Sequence, residues 1–188
     1  MASNLIDEAF QSSAALHVGW AAGHAAELAH CADVIGAALK NGGQVLSFGN
    51  GGSATDAQHL AGELVGRFLK ERRALAAVAL SADTAILTAL GNDYGYETVF
   101  ARQIEALGRP GDVAFGITTT GGSKNVTRAL IAARERGMTT VGLTGKDGGE
   151  TGRVVEIHLN VPSDSTPRVQ EVHRTILHVL CELIENDL

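Results

Sequence analysis

Gln44-Val45-Leu46-Ser47-Phe48-Gly49-Asn50-Gly51-Gly52-Ser53 decides the fold: a brief apolar run breaks into a glycine-rich turn and continues as Ala54-Thr55-Asp56-Ala57-Gln58-His59. A run of this kind predicts a buried parallel strand over residues 44–48. Three of the next five positions are Gly, so the turn can take backbone angles closed to other residues. The unpaired N–H groups and dipole of a helix start favour negative charge, so a phosphate or sugar oxygen suits Asn50, Gly51, Gly52 and Ser53. The same residues also read as a plain strand-to-helix turn capped by Ser53. No Gly-Lys-Ser/Thr follows and the spacing is not the dinucleotide fingerprint, so no nucleotide cofactor is expected.

Outward from this stretch, short apolar runs recur at 77–80, 113–117, 139–143 and 157–161, with helical stretches between them at 54–68, 83–90, 96–107 and 123–136. That alternation predicts an α/β fold: a three-layer sandwich with a five-stranded parallel sheet flanked by helices. An Ala- and Leu-rich segment without Pro, 5–39, precedes it as one long or two shorter helices, and an amphipathic helix over 167–185 closes it. With 188 residues, 45% of them hydrophobic, the chain can bury one good core. We expect one domain over 1–188, with a helical arm at 1–40 and the parallel core and last helix at 44–185.

The formal charge of −6 argues against a nucleic-acid surface. The local cluster Lys70, Arg72 and Arg73 reads as a solvated helix end. Cys31 and Cys181 form no paired motif and read as buried helix residues in a reducing compartment. No apolar run approaches the roughly 20 residues that span a bilayer, and the N-terminus lacks an export signal. A cytoplasmic protein without a membrane or nucleic-acid partner is the expectation.

In an open parallel sheet, ligands bind where the carboxyl ends of strands lead into helices. The turn at 50–53 fits that rule. So does Thr118-Thr119-Thr120-Gly121-Gly122-Ser123, whose four hydroxyls and two glycines make a nest for a phosphate without an opposing carboxylate. Neutral donors of this sort suit a phosphomonoester on a sugar. His59 and Glu63, four apart, share one helix face and can touch one substrate, one metal or merely each other. Gln170 and His178 share a face of the last helix but stand about 12 Å apart along it, so a site that needs both draws them from different copies of the chain. A carboxylate and an imidazole facing a phosphorylated sugar are the parts of an aldose–ketose isomerase, with Glu63 as base and His178 as acid. Zinc held by His59, Glu63, Gln170 and His178 is also conceivable, and a zinc-bound glutamate is a poorer base, so those roles compete. His17, His24 and His30 read as packing or surface residues, Asp83 as a helix cap.

Four ordered blocks carry a resemblance. These are Gly49 through His59; Asn92-Asp93-Tyr94-Gly95-Tyr96; Gly116-Ile117 with the 118–123 loop; and Arg168-Val169-Gln170-Glu171-Val172-His173 with His178. Lys146-Asp147-Gly148-Gly149 agrees. Over about 44–185 the chain resembles the phosphoheptose isomerases of the sugar isomerase (SIS) domain superfamily.

The resemblance implies the SIS fold and a homotetramer with active sites between subunits. The reaction it implies is sedoheptulose 7-phosphate to D-glycero-D-manno-heptose 7-phosphate, the first step of bacterial heptose biosynthesis. It implies a substrate site of Asn50, Gly51, Gly52, Ser53, Glu63, Asn92, Asp93, Thr118, Thr119, Thr120, Ser123 and Gln170. It also implies zinc, one per subunit, on His59, Glu63, Gln170 and His178. The family's loop usually reads Ser-Thr-Ser-Gly-Asn-Ser; here Thr118, Thr120 and Gly122 depart from it, and the hydroxyls survive. The alternative is a non-catalytic SIS relative that binds the replication initiator; that relative lacks the acid/base pair present here as Glu63 and His178.

Overall fold

The structure, a computed structural model, describes residues 2–187; the two ends of the predicted span 1–188 lie outside the described residues. The apolar runs form five strands, β1 (Val45–Gly49), β2 (Ala77–Ala79), β3 (Val113–Thr118), β4 (Thr139–Gly145) and β5 (Ile157–Val161). They make one sheet in the order β2-β1-β3-β4-β5, every pair parallel. The central strands β1 and β3 are buried throughout because both faces are covered.

Seven α-helices cover the faces among the described residues: α1 (Ala2–Lys40), α2 (Gly52–Val65), α3 (Thr84–Tyr94), α4 (Ala101–Leu107), α5 (Lys124–Glu135), α6 (Gly149–Val154) and α7 (Thr166–Asp187). Val45, Phe115, Ile117, Val141 and Leu143 pack under α1, α2 and α7. Leu46, Phe48 and Ala114 point the other way, under α4 and α5. The alternation of strand side chains thus sorts the core into two layers.

The predicted arm is a single helix of 39 residues, about 58 Å long. Its C-terminal half is anchored by Trp20, whose Nε1 donates to the Asn160 carbonyl at 2.7 Å on edge strand β5. Its N-terminal half stands clear of the sheet, with Leu5, Ile6, Phe10 and Val18 exposed. A groove of about 530 Å³ runs between α1 and α7, lined by Val18, Ala21, Leu28, Ile176 and Val179.

Several elements differ from the sequence reading, and helix α3, expected at 83–90, runs on to Tyr94. Residues 96–107, expected as one helix, are a 3₁₀ turn (Tyr96–Thr98) and then α4. Helix α6 was not foreseen. Helix α2 ends at Val65 instead of near 68, and within the cluster read as a solvated helix end Lys70 and Arg73 are exposed while Arg72 is a buried tie. The Arg72 side chain is 9% exposed, pairs with Glu185 Oε1 at 3.0 Å, and donates to the Glu63 and Leu64 carbonyls at the end of α2. The partner carboxylate comes from α7, beyond the reach of any local pattern.

Candidate active site

Strand order 2-1-3-4-5 reverses direction between β1 and β3, so their loops leave toward opposite faces and open a crevice at the carboxyl end of the sheet. Both predicted ligand loops flank that crevice. On the β1 side, Gly51 is the N-cap of α2 without a side-chain cap bond, and Ser53 is buried in the first turn instead of capping it. The Ser53 and Ala54 N–H groups donate to Asn50 and Gly51 carbonyls, whereas Gly52 N–H, at the first helical position, has no intrahelical partner to donate to.

On the β3 side, Thr118 Oγ1 lies 2.9 Å from Ser123 Oγ and 3.4 Å from Thr120 Oγ1, so three of the four predicted hydroxyls cluster. Ser123 is the N-cap of α5, yet its hydroxyl makes no cap bond and turns to Thr118. The loop is braced from behind. Gly121, at φ +67°, presses on the 148–149 backbone so closely that a Cβ there would collide with the Gly148 carbonyl, and its own carbonyl accepts from Thr151 N–H at 2.9 Å. Lys124 does not add charge to the loop: its Nζ pairs with Glu97 at 3.1 Å.

Gln170 belongs to the crevice. Helix α7 runs along α2 so that a Cβ on Gly52 would run into the Gln170 amide. One turn further, Arg174 pairs with buried Asp56 at 2.6 Å. One turn beyond that, His178 Nε2 meets His59 Nε2 at 2.8 Å, and His59 lies 3.4 Å from Glu63 Oε1. The α2–α7 seam is therefore a polar ladder of Gly52–Gln170, Asp56–Arg174 and His59–His178, with Glu63 at its far end. Burial first, then the Arg174 charge, lowers the His59 pKa, with Glu63 opposing and His178 adding to the shift. Asp56 is pushed up by burial and drawn back by Arg174.

These distances split the predicted site in two. Glu63 is eleven residues along α2 from Gly52, about 16 Å along the helix axis at 1.5 Å per residue. Asn50, Gly51, Gly52, Thr118, Thr119, Thr120, Ser123 and Gln170 lie at the crevice; His59, Glu63 and His178 lie down the seam. Asn92 and Asp93 end α3, both exposed, hydrogen-bonded to each other at 2.8 Å.

The donor chemistry of His59, Glu63 and His178 suits zinc. The present spacing of the two imidazole nitrogens is that of a hydrogen bond, shorter than the about 3.3 Å that separates two ligands on one tetrahedral zinc. Among the described residues no group of three or more His, Cys, Asp or Glu is arranged to hold a metal ion. Gln170 of the same chain stands apart from the three.

The remaining titratable groups are structural. His173 is fully buried, donates from Nε2 to the Thr144 carbonyl at 2.9 Å, and is pushed down to about 4 by burial. Burial pushes the thiols of Cys31 and Cys181 up to about 12. His17 bonds Thr175 at 2.9 Å, and His24 stacks on Trp20. Sequence reasoning missed Arg174, although its spacing of four from both Gln170 and His178 was a usable signal.

Comparison with known proteins agrees with this architecture. The SIS domain family matches residues 10–145, a span that includes both crevice loops, His59 and Glu63. A phosphoheptose isomerase of Aquifex aeolicus is 54% identical over 96% of this chain and 94% of its own length, and one of Geotalea daltonii is 57% identical over 86% and 84%. The solved phosphoheptose isomerase of Neisseria gonorrhoeae superimposes with a TM-score of 0.94 at 41% identity, covering 99% of this chain and all of that one. The chain belongs to the phosphoheptose isomerases of the SIS domain family, and it is an isomerase.

Proposed function

We propose that the protein converts sedoheptulose 7-phosphate to D-glycero-D-manno-heptose 7-phosphate, as the first step of heptose biosynthesis, in sites completed between subunits of a homotetramer. The observation that carries this reading is the split just described, in a chain similar over nearly its whole length to phosphoheptose isomerases. One subunit supplies a sugar-phosphate crevice; its seam carries Glu63 about 16 Å along α2 from Gly52 and His178 about 12 Å along α7 from Gln170. Joining the crevice of one copy to the seam of another resolves both. The exposed apolar half of α1 and the α1–α7 groove supply a surface on which copies can associate.

In this reading Thr118, Thr119, Thr120 and Ser123 hold the phosphate through neutral donors, while Asn50, Gly52, Gln170, Asn92 and Asp93 hold the polyol chain. Glu63 removes a proton from C1 of the open-chain ketose as His178 protonates the C2 carbonyl oxygen, giving the enediol. Glu63 then returns the proton to C2 as the C1 hydroxyl gives its own to the deprotonated His178, leaving the aldehyde at C1 and both residues as they began. Zinc, when bound, would be held by His59, Glu63 and His178 with Gln170 from another copy. It would supply positive charge that orients substrate oxygens.

The test is turnover of sedoheptulose 7-phosphate followed by NMR, with hexose and pentose phosphates as competitors and Glu63→Gln and His178→Ala as controls. Aldoheptose 7-phosphate that disappears in both variants supports the assignment. A folded oligomer that makes no product, with or without zinc, overturns it in favour of a binding protein on the same scaffold.

A further inference from the structure

Asn125, the second residue of α5, is 5% exposed, and nothing in the substrate or acid/base assignments above uses it. Its side chain and that of Asn50 face each other across the crevice in a reciprocal amide pair. Asn50 Nδ2 donates to Asn125 Oδ1 at 2.9 Å, and Asn125 Nδ2 donates to Asn50 Oδ1 at 2.9 Å. The two residues stand 75 apart in sequence, Asn50 on the loop after β1 and Asn125 in the first turn of α5, just past the loop after β3.

We propose that Asn125 is a positioning residue that clasps Asn50 across the crevice, fixing both the separation of the two ligand loops and the rotation of the Asn50 amide toward the substrate's hydroxyls. This rests on the isomerase reading above. The assignment follows from counting donors and acceptors. A primary amide has two N–H groups and two oxygen lone pairs. Asn125 Oδ1 uses one lone pair on Asn50 and the other on Val126 N–H at 3.0 Å, so its oxygen is saturated. Asn50 spends one N–H and one lone pair on Asn125, and no other side-chain bond to it exists among the described residues. The paired hydrogen bonds hold the Asn50 amide against rotation about Cβ–Cγ, so its remaining N–H and lone pair keep a fixed direction. The free donor and acceptor leave on opposite edges of the amide, so they meet two hydroxyls of a polyol, one accepting and one donating. A phosphate, which only accepts, would leave the lone pair idle. The clasp therefore serves the polyol end of the ligand, whereas Thr118 and Ser123 serve the phosphate.

The experiment compares Asn125→Ala, Asn50→Ala and the double variant in the turnover assay, with inorganic phosphate as a competitive inhibitor. Loss of a pair of neutral hydrogen bonds predicts a rise in KM for the ketose of about tenfold or more in Asn125→Ala. The inhibition constant of inorganic phosphate should move by less than about twofold, since phosphate alone does not use Asn50. If Asn125 acts through Asn50, the double variant is no worse than Asn50→Ala. A merely structural role moves both constants together and gives additive losses; either result, or an unchanged KM, overturns the proposal. Side-chain amide exchange in the wild-type protein gives a readout independent of turnover. The bonded N–H protons of Asn50 and Asn125 should exchange at least about tenfold more slowly than those of exposed Asn41, and equal rates would contradict the clasp. Wild-type protein that binds and turns over no ketose refutes the isomerase reading alone, and the exchange rates then decide the clasp.

Discussion

Glu185→Ala tests how the chain holds the end of the helix that presents Glu63. The Glu185 side chain, 2% exposed, accepts from the Phe68, Leu69 and Lys70 N–H groups at 2.6, 2.8 and 2.9 Å and from Arg72 Nε at 3.0 Å. Arg72 in turn donates to the Glu63 carbonyl at 2.7 Å, closing the last turn of α2 where helix carbonyls lack partners. Burial alone would raise the Glu185 carboxyl; the three N–H groups and the Arg72 charge outweigh it and hold the pKa at about 2 instead of 4.5. At 1.36 kcal/mol per unit, that difference contributes about 3 kcal/mol at neutral pH. Removing one partner of a buried pair, which leaves Arg72 uncompensated, gives about 3–5 kcal/mol by a separate route.

Urea unfolding at matched protein concentration should therefore show Glu185→Ala less stable by about 3–5 kcal/mol, equivalent to a fall of about 10 °C in Tm. Because the folded pKa is depressed, the contribution is fully present above about 4.5 and is lost as pH falls toward 2. The gap between wild type and variant should narrow across that window. A loss below about 1 kcal/mol, or a gap independent of pH, would refute the reasoning.

Other outcomes follow from the same contacts. Gly121→Ala puts a Cβ at positive φ against the Gly148 carbonyl, so the protein should fold with a displaced phosphate loop. Its KM for sugar phosphate should rise by at least about tenfold, and an unchanged KM would mean that the brace behind the loop is irrelevant to binding. Phe10, 76% exposed on α1, should be covered in the assembly, and Phe10→Glu should weaken association by about a hundredfold in sedimentation velocity. Unaltered sedimentation places the interface elsewhere.

What the sequence revealed and what it hid have physical reasons. The five strands are apolar runs bounded by Gly or polar residues, and a parallel sheet buried on both faces leaves that mark. The crevice loops were legible because glycines and hydroxyls cluster at the strand ends. Asp83 read as a cap and is one: its Oδ1 accepts from Ile86 N–H at 2.9 Å. Helix α6 was invisible because Gly149-Glu150-Thr151-Gly152-Arg153-Val154 has two glycines and no apolar stripe. Arg72 looked like a surface cation because its partner lies 113 residues away. Asn125 was hidden for the same reason, since an amide pair across the sheet leaves no periodicity in either segment. The separation of Gln170 from His178 was legible, because it needs only the rise of a helix.

The central claim, a site built from the crevice of one subunit and the seam of another, is tested most directly by subunit complementation. A crevice variant, Thr118→Ala/Ser123→Ala, and a seam variant, Glu63→Gln, are each assayed alone and after mixing under conditions that exchange subunits. The account predicts two inactive parents and recovery of up to about a quarter of wild-type turnover in the mixture, the fraction of random junctions that unite two intact halves. Exchanged but inactive mixtures would contradict it and place the whole site within one chain.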